Sequence, residues 1–108
     1  MARNDLQGSL DLLVLKTLSQ MGELHGYGIV LHIQRASDDL LTVEEGSLYP
    51  ALHRMEQSGW IRSEWKTTDT NRKAKFYRLT TAGQRELDKA VKSFDQLVRG
   101  IRAMLRYA

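Results

Sequence analysis

No cysteine occurs anywhere in this sequence. That excludes disulfide staples, thiolate nucleophiles and cysteine metal sites, and it fits a reducing cytosol. No apolar run approaches the ~20 residues of a membrane-spanning helix. Met1 to Ser9 lacks the apolar centre of a secretory signal. No membrane partner is therefore expected, and the cytoplasm is the expected location. Charge of neither sign dominates: 16 Lys and Arg stand against 13 Asp and Glu, a net +3. This tilts the balance toward polyanions without deciding it. The three histidines lack a ligand spacing, since His25 and His32 are seven apart and His53 lies on another element, so no metal is expected. No Ser/His/Asp set and no carboxylate pair stands out, so no catalytic residue, cofactor or enzymatic activity is expected. Repeats and low-complexity segments are also absent. Gly26 and Gly28 lack the lysine and fuller glycine pattern of a phosphate loop, and close helix packing explains them better.

What is present fits one domain of 108 residues with a modest core, 42% of the residues being hydrophobic. Glu45 to Ile61 carries the most information. Ser47 is a good N-cap residue, and the single proline, Pro50, falls in the first turn of the helix that Ser47 would cap. Leu48, Leu52 and Met55 recur at helical spacing and predict one buried face. Tyr49, His53, Arg54 and Gln57 fall on or near the other, and Gly59 ends the helix near Ser58. A short capped helix with aromatic, imidazole and guanidinium groups on its free face suits a DNA major groove.

Three further helices and a hairpin surround this element. Leu6 to Met21 predicts a first helix, with Leu10, Val14, Leu18 and Met21 in one stripe and Leu12 with Leu15 on a second apolar side. His25 to Ser37 predicts a second, held by Tyr27, Ile29, Val30, Leu31 and Ile33. Asp38 to Glu45 reads as an acidic connection facing away from DNA, with an extended piece at Leu41 to Val43. Trp60 to Thr67 and Lys73 to Thr80 predict two strands joined by turn chemistry at Thr68 to Arg72. Ile61, Ser63 and Trp65 share one side of the first strand, and Tyr77 and Leu79 point inward from the second. Lys66, Arg72, Lys73 and Lys75 make this hairpin basic. Trp60 and Trp65 are expected to pack. Thr81 to Tyr107 predicts a last helix of ~40 Å. Its Leu87, Val91, Phe94, Val98, Ile101 and Leu105 follow a heptad seam, which one small domain cannot cover.

At the level of motifs the chain resembles the PadR family of bacterial transcriptional regulators. The matching segments are GSLDLLVLKTL (Gly8 to Leu18), HGYGI (His25 to Ile29), EGSLYPALHRME (Glu45 to Glu56), SGWI (Ser58 to Ile61) and FYRLTTAG (Phe76 to Gly83). They occur in the family's order over nearly the whole chain. The resemblance implies a mainly α fold with a small β hairpin, a winged helix-turn-helix over residues 1–80 followed by a C-terminal dimerisation helix over 81–108, of the family's shorter type. It implies sequence-specific binding of double-stranded DNA as a homodimer, usually as a repressor at a promoter operator. Drug-responsive members use a tryptophan on the last helix to stack planar ligands. This chain has none there, and Phe94 is the large aromatic of the seam, so a small aromatic effector is an open partner.

The expected DNA-binding residues are thus Ser47, Tyr49, Pro50, His53, Arg54, Lys66, Arg72, Lys73 and Lys75. The expected dimer interface is Leu12, Leu15, Leu87, Val91, Phe94, Val98, Ile101 and Leu105. The alternative is a protein-interaction module that reuses the winged helix without touching DNA. For Tyr49 packing competes with groove contact, and for Arg54 a carboxylate such as Glu56 or Glu45 competes with DNA.

Overall fold

A computed structural model describes the backbone of residues 2–108 and the side chains from Ser9 onward. Its order is α1 (Ala2–Met21), β1 (Glu23–His25), α2 (Gly26–Ala36), α3 (Glu45–Gln57), β2 (Ile61–Thr67), β3 (Lys73–Leu79) and α4 (Thr81–Arg106). The fold is mainly helical with a small antiparallel sheet, as expected. The sheet has a third strand that periodicity did not reveal. Its order is β1-β3-β2, with Leu24 opposite Tyr77 and Ser63 opposite Tyr77 on the other flank. β1 replaces the start expected for the second helix, and His25 becomes the N-cap of α2, its Nδ1 accepting from the Gly28 N–H at 3.0 Å. The extended piece expected at Leu41 to Val43 is not a strand.

The core gathers Val14, Leu15 and Leu18 of α1, Ile29 and Ile33 of α2, Leu48, Leu52 and Met55 of α3, Ile61 and Tyr77 of the sheet, and Leu87 of α4. Burial of each such large side chain contributes about 1.5–3 kcal/mol. Two expected packing residues depart from this core. Tyr27 is 56% exposed and Trp65 66% exposed. Trp65 does share the inward side of β2, but it lies beyond the point where helices cover the hairpin.

Chain reversals use left-handed backbone where a helix must end sharply. Gly22 (φ 83°) and Gly59 (φ 80°) take that conformation after α1 and α3, which costs glycine little. Asn71 takes it in the wing turn (φ 61°), where Thr68 accepts the Asn71 N–H at 2.9 Å.

The wing and α4 meet at a tight joint. Thr80 caps α4, its Oγ1 accepting from the Gly83 N–H at 3.0 Å while its own hydroxyl donates to the Gly59 carbonyl at 2.6 Å. The Thr80 N–H donates to the Trp60 carbonyl at 3.0 Å. A β-carbon on Gly83 would run into that same Trp60 carbonyl and into Leu79. Overpacking of this kind costs about 1–3 kcal/mol. Gly83→Ala is therefore expected to lower the melting temperature by at least about 4 °C. Circular-dichroism melts of parent and variant check this, and an unchanged midpoint would contradict the joint.

Candidate nucleic-acid interface

Helix α3 divides cleanly. Leu48, Ala51, Leu52 and Met55 are buried, whereas Gly46, Ser47, Tyr49, Pro50, His53 and Gln57 are exposed. Gly46, Pro50, His53 and Gln57 follow helical spacing and form one outward stripe. A β-carbon on Gly46 would meet nothing within 4 Å, so this stripe is open to a partner along its length.

The helix begins three residues before the expected start. Its N-cap is Glu44, which makes no side-chain cap, and Ser47 sits inside the first turn. Pro50 consequently lies in the second turn, where its missing N–H leaves the Gly46 carbonyl without a helical partner. Both residues are exposed, so water can satisfy that oxygen. Glu45 belongs to the helix rather than to the acidic connection, and its charge complements the N-terminal end of the dipole.

Tyr49 is partly packed and partly open. Its ring covers Gly26, where an added β-carbon would lie 2.6 Å from the phenol oxygen. This is the close packing that the glycine of α2 permits. Yet 45% of Tyr49 stays exposed. Burial first, and the Glu45 carboxylate second, push its phenol pKa above the ordinary value, so it is a neutral hydroxyl at physiological pH. Tyr77 beneath it is likewise raised, by burial first and then by Glu56.

Arg54 departs from expectation. It is partnered by neither Glu45 nor Glu56. Its guanidinium donates both terminal nitrogens to Asp11 of α1, at 2.8 and 2.9 Å. The hydrogen bond to Asp11 raises its pKa further. No periodic signal marks Asp11 as its partner 43 residues away; in sequence it is an isolated acid among the leucines of α1.

The wing cations differ among themselves. Lys66 donates to Glu23 of β1 at 2.7 Å, and Lys75 lies 3.6 Å from Glu56 of α3. Glu56 also accepts from the Ser63 hydroxyl at 2.5 Å. These pairs tie the wing to β1 and to α3. Arg72 and Lys73, at the turn, are exposed and form no ion pair among the described residues. A cleft of about 990 Å³ opens between the wing and the α2–α3 side, walled by Tyr27, Tyr49, Trp65 and Phe76 and edged by Arg72 and Lys73. Tyr27 and Trp65 were missed as surface residues because alternation and helical period both assigned them to packing.

His25 caps α2 and meets Phe76 edge-on at 5.2 Å. Among the described residues no cluster of three or more His, Asp or Glu side chains could hold an ion, and no helix is long and apolar enough to cross a membrane.

A second surface lies on α4. Val91, Phe94, Leu97, Ile101, Met104 and Leu105 are each at least 41% exposed, and Val98 is half-buried. Two residues expected at a subunit interface are instead inside the chain's own core: Leu15 is fully buried and Leu87 is 4% exposed. Leu15 and Leu87 both belong to the one buried cluster, Leu87 in the part of α4 that still packs on the domain. Leu12 is half-buried against the core.

Comparison with known proteins agrees with this architecture. A transcriptional regulator of Clostridium thermocellum superposes with a TM-score of 0.85 at 25% identity, over 95% of this chain and 99% of that one. Bacillus subtilis PadR, solved in complex with operator DNA, gives 0.67 at 27% identity over 76% of this chain and 46% of its own. A transcriptional regulator of Mycobacterium tuberculosis is 33% identical over 79 residues, 73% of this chain and 70% of that protein. Transcriptional regulation, rather than catalysis, is the business of these relatives. The Transcriptional regulator PadR-like family matches residues 14–89, and the chain belongs to that family.

Proposed function

We propose that this regulator binds a promoter operator as a homodimer and acts as a repressor in the cytoplasm. One observation carries the reading: α3 turns an exposed stripe outward, and its Tyr49 shares a cleft with two exposed wing cations, Arg72 and Lys73, that form no ion pair among the described residues. A helix stripe of this size enters a major groove, and flanking cations neutralise phosphates. In this reading His53 and Gln57 reach base edges, Ser47 and Tyr49 donate hydroxyls to phosphates, and Gly46 with Pro50 allow close approach. Lys66 and Lys75 contribute through their charge while held by Glu23 and Glu56. The operator-bound Bacillus subtilis relative supports the same choice of partner.

The exposed apolar stripe of α4 supports the homodimer. An uncovered patch of this length is unusual on a monomer. A two-fold pair covers it and places two α3 helices about one helical turn of DNA apart, ~34 Å. Repression is then steric. A small aromatic effector is the remaining partner proposed. Tyr27, Tyr49 and Trp65 in the wing cleft support it better than Phe94 on α4.

Three outcomes are expected. Replacing Arg72 or Lys73 with alanine weakens binding to all duplexes alike and lowers the slope of log K against log salt by about 1 per lost contact. A double variant that binds its operator like the parent at physiological salt would remove the wing from the interface. The sequence motif selected from random DNA by His53→Ala relaxes at one position per half-site, a loss of about 1–3 kcal/mol in discrimination; an unchanged motif would assign base reading elsewhere. Phe94→Asp places a charge on the α4 stripe, where burial without a partner is strongly unfavourable. Sedimentation equilibrium is expected to show monomers and operator binding to fall steeply. A parent already monomeric at micromolar concentration would overturn the dimer. A protein-interaction module would show no salt-dependent shift on any duplex.

A further inference from the structure

We infer that Asp11 and Arg54 form the positioning pair of the reading helix: the fork between them fixes the rotation of α3 on α1, and Arg54 acts through His53 and its neighbours rather than by touching a base. The inference rests on the DNA-binding reading above.

The geometry has three parts. First, the pair is bidentate, 2.8 and 2.9 Å, between a planar guanidinium and a planar carboxylate. Such a fork resists twisting in a way that a single ammonium contact does not. Second, it is shielded. The Asp11 side chain is 18% exposed and that of Arg54 is 39% exposed, so water competes only partly for either. Third, it lies on the flank of α3, between the buried Leu52–Met55 side and the outward His53–Gln57 stripe. The core contacts under α3 are aliphatic side chains and a methionine, which adapt to small rotations. The fork is the polar contact found between α1 and α3 among the described residues.

The lever arm makes rotation matter. Side-chain tips lie roughly 5–6 Å from a helix axis. A roll of about 20° therefore moves the His53 ring by about 2 Å, well outside the 2.7–3.2 Å range of a hydrogen bond. One N–H of each terminal nitrogen of Arg54 is committed to Asp11, so its end-on fork is not offered to a guanine edge. Asp11 also belongs to the helix that contacts α4, where the Ser19 hydroxyl meets Gln84 Oε1 at 3.3 Å. The reading helix is thus referenced to the same element against which α4 begins.

The test uses the full chain and a duplex that the parent selects from random DNA, with mixed-sequence duplex as reference. Asp11→Asn and Arg54→Lys each break the fork, the second while keeping the charge. Each is expected to weaken binding to the selected duplex about tenfold while changing mixed-sequence binding less than about twofold. The salt slope stays that of the parent, and the double variant is no worse than the weaker single, because both remove one joint. Melts establish that each variant is folded at the assay temperature. Should Asp11→Asn unfold there, Asp11→Glu keeps the charge, displaces the fork by one methylene and is expected to lose specific binding in the same way. The swap of Asp11→Arg with Arg54→Asp restores part of the lost specificity. Specific binding left intact or tightened by Asp11→Asn, with Arg54→Lys still defective, would show Arg54 contacting DNA itself and overturn the inference. A lowered melting temperature with parent-like specificity in both variants would reduce the pair to a structural role and overturn it equally. A parent that binds no duplex defeats the DNA reading as well, which separates the two failures.

Discussion

Complete burial of Leu48, Leu52 and Met55 is the contact on which this molecule's arrangement depends. It seats α3 against Val14, Leu15 and Leu18 of α1 and Ile29 and Ile33 of α2 within one cluster. A thirteen-residue helix is marginal by itself in water. Here one side is held by the core, and the other need not pack at all. That freedom is what leaves Gly46, Pro50, His53 and Gln57 available to a partner. The polar contacts then refine what burial fixes coarsely. Asp11 holds Arg54, Glu56 holds Ser63 and Lys75, and Glu23 holds Lys66. Each joins an element of the outward surface to a neighbour, so helix and wing present a fixed surface.

The second organising feature is the joint at Gly59, Trp60, Thr80 and Gly83. It sends α4 away from the domain after Leu87. From Val91 onward the helix carries most of its apolar residues into the open, with Val98 half-buried among them. The same chain therefore has a satisfied core and an unsatisfied stripe, joined by one continuous helix. In the proposed dimer a second copy would cover the stripe without disturbing the core, and its symmetry would suit a palindromic site.

Sequence periodicity made the helices, the wing hairpin and the buried side of α3 legible, because period and burial coincide in those elements. Several details were not legible. β1 is three residues long, too short for alternation to register, and its place in the sheet comes from pairing with β3. Ser47 has the chemistry of a cap, yet the helix begins at Glu45 because Glu44 already takes the extended backbone of an N-cap. Leu15 and Leu87 look like their neighbours in the pattern, and only the tertiary packing assigns them to the core. Tyr27 and Trp65 carry a packing signal, but Tyr27 at the start of α2 and Trp65 on β2 both face the open wing cleft. For Arg54 the sequence offered nearby acids, whereas the partner is remote. Long-range polar pairing leaves no periodic trace, so the finest features of the interface were the least readable.

The most direct measurement of the central claim is a nuclear magnetic resonance titration of the amide-labelled chain with its selected duplex. Amide shifts are expected at Gly46, Tyr49, His53 and Gln57 of α3 and at Asn71 to Lys73 of the wing, with α4 beyond Val91 unaffected. Shifts confined to the α4 stripe or to the acidic Asp38–Leu41 segment, with α3 silent, would contradict the account.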